Sequence, residues 1–315
     1  MKQKDYVYYV ELSGGLGNQL FQYAFARAMQ CRHNGKVIYL TNSFKTDELR
    51  KCSIKHFAID PSWEEDCDYN FMESHPKQYK LFDHLNSVEY HLYKLFRISY
   101  DGDKRNLFDR IKQNILSHNG IYTQTGHRYY NIRFYNKPDV KYINGLWHYP
   151  GYFNFIGDTL RREIRLSDPS LLPQKYRQLI NDNEAVCVHI RRGDYLNYTY
   201  YDVCNADYFN EGIRYIKARR PGAVFMIFSD DIDWSKKNIT GDNIHYVDEA
   251  NEDYIDFSLM SMCNHFIISN STFSWWAAFL GNDPQKIVIC PDKWYNDGRN
   301  KKYLNLEGWI EIKTL

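Results

Sequence analysis

The chain has 315 residues with 40 Lys and Arg against 39 Asp and Glu, a formal charge of +1. That balance argues against a nucleic-acid binder, whose phosphate contacts need a basic excess, and 43% hydrophobic with 25% charged residues excludes disorder, collagen and coiled coil. No apolar run exceeds six residues, as in Ala223–Phe228, so no integral membrane segment is expected and a globular chain remains.

The opening tract MKQKDYVYYVELSGG has neither a clean apolar core nor a small-residue cleavage site, so no secretory signal is expected. Seven cysteines, an odd number without a C-x-x-C pair, argue against a disulfide framework or a Cys-rich zinc site and for a reducing cytoplasm. The N-x-S/T sequons at Asn197, Asn238 and Asn270 are read as chance. The scattered basic residues carry no argument for peripheral attachment to an inner membrane.

Tyr6–Leu12 reads as a strand, broken by Ser13-Gly14-Gly15-Leu16-Gly17. Leu20, Ala24 and Ala28 then recur at helical spacing, and Lys36–Leu40 reads as a second strand. Strand, Gly-rich turn, helix and strand make a βαβ unit with a parallel sheet. Residues 45–145 are rich in aromatic rings and charge, with short amphipathic pieces at Tyr90–Phe96 and Arg110–Leu116. Two readings stand for this tract: a helical insertion with an aromatic core, or a face that packs sugar C–H surfaces.

From residue 185 strands and helices alternate again. Ala185–Ile190, Ala223–Phe228, Ile244–Val247, Phe266–Ser269 and Lys286–Cys290 read as strands, and Asp207–Arg219, Asp253–Met262 and Trp275–Leu280 as helices. The expectation is an α/β protein with two doubly wound, Rossmann-like halves, residues 1–170 and 171–315, with a cleft between them. The boundary falls in the polar tract Arg165–Asn183. Ligands of such folds bind at the carboxyl ends of parallel strands.

Three constellations carry chemistry. In Gly14-Gly15-Leu16-Gly17-Asn18-Gln19 the glycines permit a tight turn and bring backbone N–H groups to a helix start, where anions are favoured. A dinucleotide fingerprint and a purely structural turn are the alternatives, the first weakened by Leu20 in place of the third glycine. In His189-Ile190-Arg191-Arg192-Gly193-Asp194-Tyr195, strand alternation sets His189 and Arg191 on one face and Arg192 on the other, and an Arg fork at a sheet edge suits phosphate. Pairing of both arginines with carboxylates is the structural alternative. Ser269-Asn270-Ser271-Thr272-Phe273-Ser274 enters a helix with hydroxyls and free amides, as a cap or as a phosphate-holding turn. Asp231-Ile232-Asp233 has the spacing of a metal-binding D-x-D, but Asp66-x-Asp68 and Asp101-x-Asp103 match equally well, so no metal is assigned.

GGLGNQLFQYAFARAM (14–29), HIRRGDY (189–195) and SNSTFSWWAAFLG (269–281) resemble the signature blocks of the α-1,2-fucosyltransferases of glycosyltransferase family 11, in order and spacing, and the bacterial members above all. The resemblance implies a GT-B-like fold with the acceptor on the first half and GDP-L-fucose on the second. It implies metal-independent, inverting transfer to the 2-hydroxyl of a galactose in an oligosaccharide. Carried over by motif, Arg191 would grip the β-phosphate, with Arg192 beside it, and His189 the guanine or ribose-phosphate. Ser271, Thr272 and Phe273 would hold the diphosphate, Asp256 the guanine edge, and Asn18 would lie by the fucose and the acceptor hydroxyl, behind Gly15 and Gly17. Asp194 is the carboxylate in the motif that a general base would require. A metal-dependent transferase using Asp231 and Asp233, and a non-catalytic glycan-binding protein, are the competing readings.

Overall fold

The computed structural model describes residues 6–60, 62–96, 103–124, 141–249, 251–298 and 302–314. Asp101 and the tract 125–140 of the aromatic middle lie outside the described residues. The chain divides into two compact units, Met1–Cys52 with Ile59–Thr159, and Ser53–Ala58 with Leu160–Leu315.

The first unit is built on five parallel strands: β1 (Val7–Glu11), β2 (Lys36–Leu40), β3 (Glu64–Asp66), β4 (Ile121–Thr123) and β5 (Tyr142–Asn144), in the order β3-β2-β1-β5-β4. The glycine break after β1 ends where expected, and the helix Leu16–His33 buries Leu20, Phe21, Ala24, Phe25, Ala28 and Met29 completely. The expected pieces Tyr90–Phe96 and Arg110–Leu116 lie in two longer helices, Pro76–Phe96 and Asp103–His118. Residues 45–145 are therefore more than a helical insertion, because β3, β4 and β5 complete the sheet. Each of these strands has three residues, too few to display a period.

The second unit carries β6 (Ala185–Ile190), β7 (Val224–Ser229), β8 (Ile244–Tyr246), β9 (His265–Ile267), β10 (Val288–Pro291) and β11 (Ile310–Ile312), all parallel, in the order β11-β10-β9-β6-β7-β8. Every residue of β6 is buried, as a central parallel strand covered on both faces requires. Val186, Val188, Phe225, Ile227, Ile267 and Ile289 form one side of its core. Counted from β6, the order is 3-2-1-4-5-6, the doubly wound arrangement with its reversal between β6 and β9. Among the described residues no helix is long and apolar enough to cross a membrane.

Phe25 stacks on Trp147 at 4.2 Å and meets Tyr152 edge-on at 4.9 Å. A Phe25→Ala chain is expected to lose about 3–5 kcal/mol of stability in urea denaturation, because the rigid rings around it cannot close the cavity.

Candidate active site

In each sheet the chain order reverses beside the first strand, and the chemistry-bearing segments follow the strands that flank the reversal. In the second unit, β6 runs into Arg191-Arg192-Gly193-Asp194 and β9 into Ser269–Ser274.

His189 is buried on β6, and its Nδ1 lies 3.1 Å from the Ser269 hydroxyl. Burial first, and the Arg191 charge second, push its pKa down to about 3. The imidazole is therefore neutral across the physiological range, a hydrogen-bonding edge and a poor base. Its ring is 5.5 Å from Phe273.

Arg191 holds two carboxylates. One guanidinium nitrogen pairs with Asp194 and the other with Asp230 at 2.8 Å. The fork is thus oriented at the sheet edge by partners exposed enough to be exchanged. Arg192 turns the other way, as alternation expects. It bonds Asp231 at 3.0 Å and lies 4.0 Å over the Trp234 ring. Asp231 in turn caps the helix Ile232–Asn238 through Trp234 N–H, so it serves both the arginine and the cap. Gly193 is required for contact: a Cβ there would come 2.7 Å from the Asp230 carboxylate that holds Arg191.

Ser271 caps the helix Thr272–Leu280, its hydroxyl accepting from Phe273 N–H at 3.3 Å. Asn270 is structural. Its amide donates to the carbonyls of Tyr201 and Trp294 at 3.1 and 2.9 Å, which ties the loop after Arg192 beneath the helix start. Both of its amide hydrogens are thereby engaged in the buried sequon.

Asp256 lies on the helix Asp253–Ser261 and accepts from the Asn251 amide at 2.8 Å. Its neighbour Phe257 meets Phe273 edge-on at 5.4 Å. Burial drives the Asp256 pKa up to about 6, with Asp253 adding to the rise.

Gly15, Gly17 and Asn18 belong to the first unit. Gly15 caps the helix Leu16–His33 in extended conformation, without a side-chain acceptor, and Gly17 is buried in its first turn. Gln19, beside Asn18, is a clamp, donating to the carbonyls of Gly14 and Lys51 at 2.8 Å each. Sequence reading missed two residues here. His148 follows β5, and its Nε2 lies 3.0 Å from Asn18 Oδ1. Glu11 ends β1 and accepts from the Tyr142 hydroxyl at 3.1 Å, with burial raising its pKa. The signal for His148 was the tract Asn144-Gly145-Leu146-Trp147-His148, a strand end with a glycine, in a region whose strands were too short to recognise.

Two all-parallel α/β units, each with a reversal in its strand order, define a GT-B-like protein. The sequence profile of glycosyl transferase family 11 matches residues 6–313, and the chain belongs to that family of glycosyltransferases. It is 30% identical over 316 residues to an alpha-1,2-colitosyltransferase of Escherichia coli, covering 96% of this chain and 97% of that one. To the O-antigen biosynthesis glycosyltransferase WbnK of Escherichia coli it is 28% identical over 327 residues, covering 96% and 99%. Galactoside alpha-(1,2)-fucosyltransferase 1 of Homo sapiens matches at 30% identity over 145 residues, 41% of this chain and 40% of that one. Among solved structures, NodZ alpha-1,6-fucosyltransferase co-crystallised with GDP has a TM-score of 0.50 and 14% identity over 91% of this chain and 95% of that one, a likeness of fold.

The raised pKa of Asp256 sets a pH dependence of stability. Well below pH 3.8 the carboxyl is protonated folded or unfolded. Between the unfolded value of 3.8 and the folded value of about 6 the native state binds the extra proton, so stability falls as pH rises through that window. Asp256→Asn is expected to be more stable than wild type at pH 7 and equal to it well below pH 3.8, measured by urea denaturation at both.

Proposed function

We propose that the protein transfers L-fucose from GDP-β-L-fucose to the 2-hydroxyl of a galactose residue in a glycan, with inversion at the fucose C1. The observation that carries this reading is the juxtaposition at the β6–β9 reversal of the Arg191 fork and the Ser271-capped helix start, a cation and a helix N-terminus on adjacent strands. The family membership and the names of its relatives support the sugar and the linkage.

In this reading the β-phosphate displaces Asp194 or Asp230 from Arg191 and sits against the amides that open the helix Thr272–Leu280. The Asp256 carboxylate accepts from the guanine edge. Departure of GDP builds negative charge on the β-phosphate and oxocarbenium character on the fucose. A preorganised guanidinium and helix start stabilise the former, so the transfer needs no metal ion. Asp230 and Asp231 already serve Arg191, Arg192 and a helix cap. Asn18 and the turn behind it, with Gly15 and Gly17, face the sugar to be joined. Asp194 is the carboxylate of the motif, and a strongly dissociative transition state needs little base strength from it.

The relative named for colitose, similar over nearly the whole chain, supports a second reading of the donor with the same phosphate seat: a nucleotide carrying colitose in place of fucose.

The test is GDP release from GDP-fucose in EDTA, with and without lactose. The expected result is release stimulated by lactose, and a product with fucose on the galactose 2-hydroxyl. Arg191→Ala is expected to lower kcat/KM by about 10²–10³, the loss typical for removal of one preorganised donor. Absence of GDP-fucose binding sinks the reading, binding without release in EDTA that Mn²⁺ restores shifts it to a metal-dependent transferase, and preference for the colitose nucleotide selects the second donor.

A further inference from the structure

Two left-handed backbone positions in the first unit converge on one side chain. Gly14, after β1, has φ +74°, and a Cβ there would come 2.9 Å from Asn18 Nδ2. Trp147, after β5, has φ +54°. A glycine adopts this region freely, whereas a bulky residue with a Cβ does so at a cost of order 1–3 kcal/mol and only when its surroundings over-determine it. The surroundings of Trp147 do so. The indole is fully buried, stacked on Phe25 at 4.2 Å and tilted against the Tyr122 ring at 4.6 Å, and its backbone N–H donates to the Gln124 side chain.

The next residue receives the benefit. His148 packs on Phe21 with ring centroids 4.9 Å apart and brings Nε2 to 3.0 Å from Asn18 Oδ1. An amide oxygen only accepts, so Nε2 carries the hydrogen. The Asn18 amide is therefore oriented by His148 at its Oδ1, and its Nδ2 takes the space that a side chain at position 14 would fill. Asn18 itself is only half-buried, so this fixation contributes little to core packing. A strained, bulky position whose result is one oriented and partly exposed amide points from backbone to function.

We infer that His148 is a positioning residue that holds the Asn18 amide in the single orientation in which it meets the hydroxyl-bearing acceptor sugar at the β1–β5 reversal. The inference rests on the functional reading above for the identity of the sugar, and on the first unit alone for the geometry.

The test compares His148→Ala with His148→Gln, whose side-chain amide can present an N–H at the reach of Nε2. GDP release from GDP-fucose with lactose gives kcat and both KM values, and thermal melting monitors the fold. The expected result for H148A is a fall in kcat of about tenfold to a hundredfold with the KM for GDP-fucose unchanged. H148Q recovers most of that loss, and adding Asn18→Ala to H148A costs little more, because both changes remove one interaction. H148A turning over at the wild-type rate, H148Q as slow as H148A, or losses that add in the double variant would overturn the assignment. Should H148A not melt cooperatively, His148→Phe takes its place, since it keeps a ring on Phe21 and lacks the N–H. If the wild type turns over no GDP-fucose, the functional reading has failed, and the pairing is read from the Asn18 side-chain amide by ¹⁵N NMR. A resonance displaced in H148A and restored in H148Q upholds the positioning role, and an unmoved one overturns it.

Discussion

The second unit of this protein depends on one parallel pairing, β6 against β9. Val186, Cys187 and Val188 lie opposite His265, Phe266 and Ile267, and the strand order reverses across that register. Connections on the two sides of a reversal leave the sheet in opposite directions, and the crevice between them at the carboxyl edge is open to a ligand. Here one connection delivers a guanidinium and the other a capped helix start. Neither is unusual alone, and a capped helix needs no ligand to explain it. The diphosphate seat proposed above rests on their adjacency.

The pairing on the other side of β6 explains why Arg191 is held as it is, because Ile190 lies opposite Ser229 and the next residues, Arg191 and Asp230, meet at the strand ends. Ion pairs at this exposure are worth about 0–1 kcal/mol each, while hydrogen bonds to a charged group contribute about 1.5–3 kcal/mol. Asp194 and Asp230 keep the fork extended and aimed without binding it so tightly that a phosphate could not replace one of them. Gly193 supports the arrangement by leaving room for Asp230. Asp256 shows the opposite bias, since its burial lowers stability near neutral pH, a cost common at sites kept for binding.

Much of this was legible in the sequence, and for identifiable reasons. β6 and β7 are continuous apolar runs, the helix Leu16–His33 has a clear period, and all three motifs sit at strand ends where glycine and hydroxyl residues interrupt a pattern. Glu64–Asp66 has the composition of a loop and becomes a strand only because β2 lies beside it. Ile310–Ile312 and the helix Ile232–Asn238 were missed for the same shortness. His148 was out of reach because its meaning depends on β5, a three-residue strand that brings it to Asn18 across 130 residues of chain. Asp231, the first carboxylate of Asp231-x-Asp233, holds Arg192 and caps a helix, contacts that no local pattern reveals.

The most direct measurement of the central claim is a crystal structure of the chain with GDP bound. The β-phosphate is expected on the Arg191 guanidinium, with the Asp194 or Asp230 pair broken, and the diphosphate against the backbone of Ser271–Phe273. A GDP seated elsewhere, or an Arg191 still shared between both carboxylates with GDP in place, would contradict it.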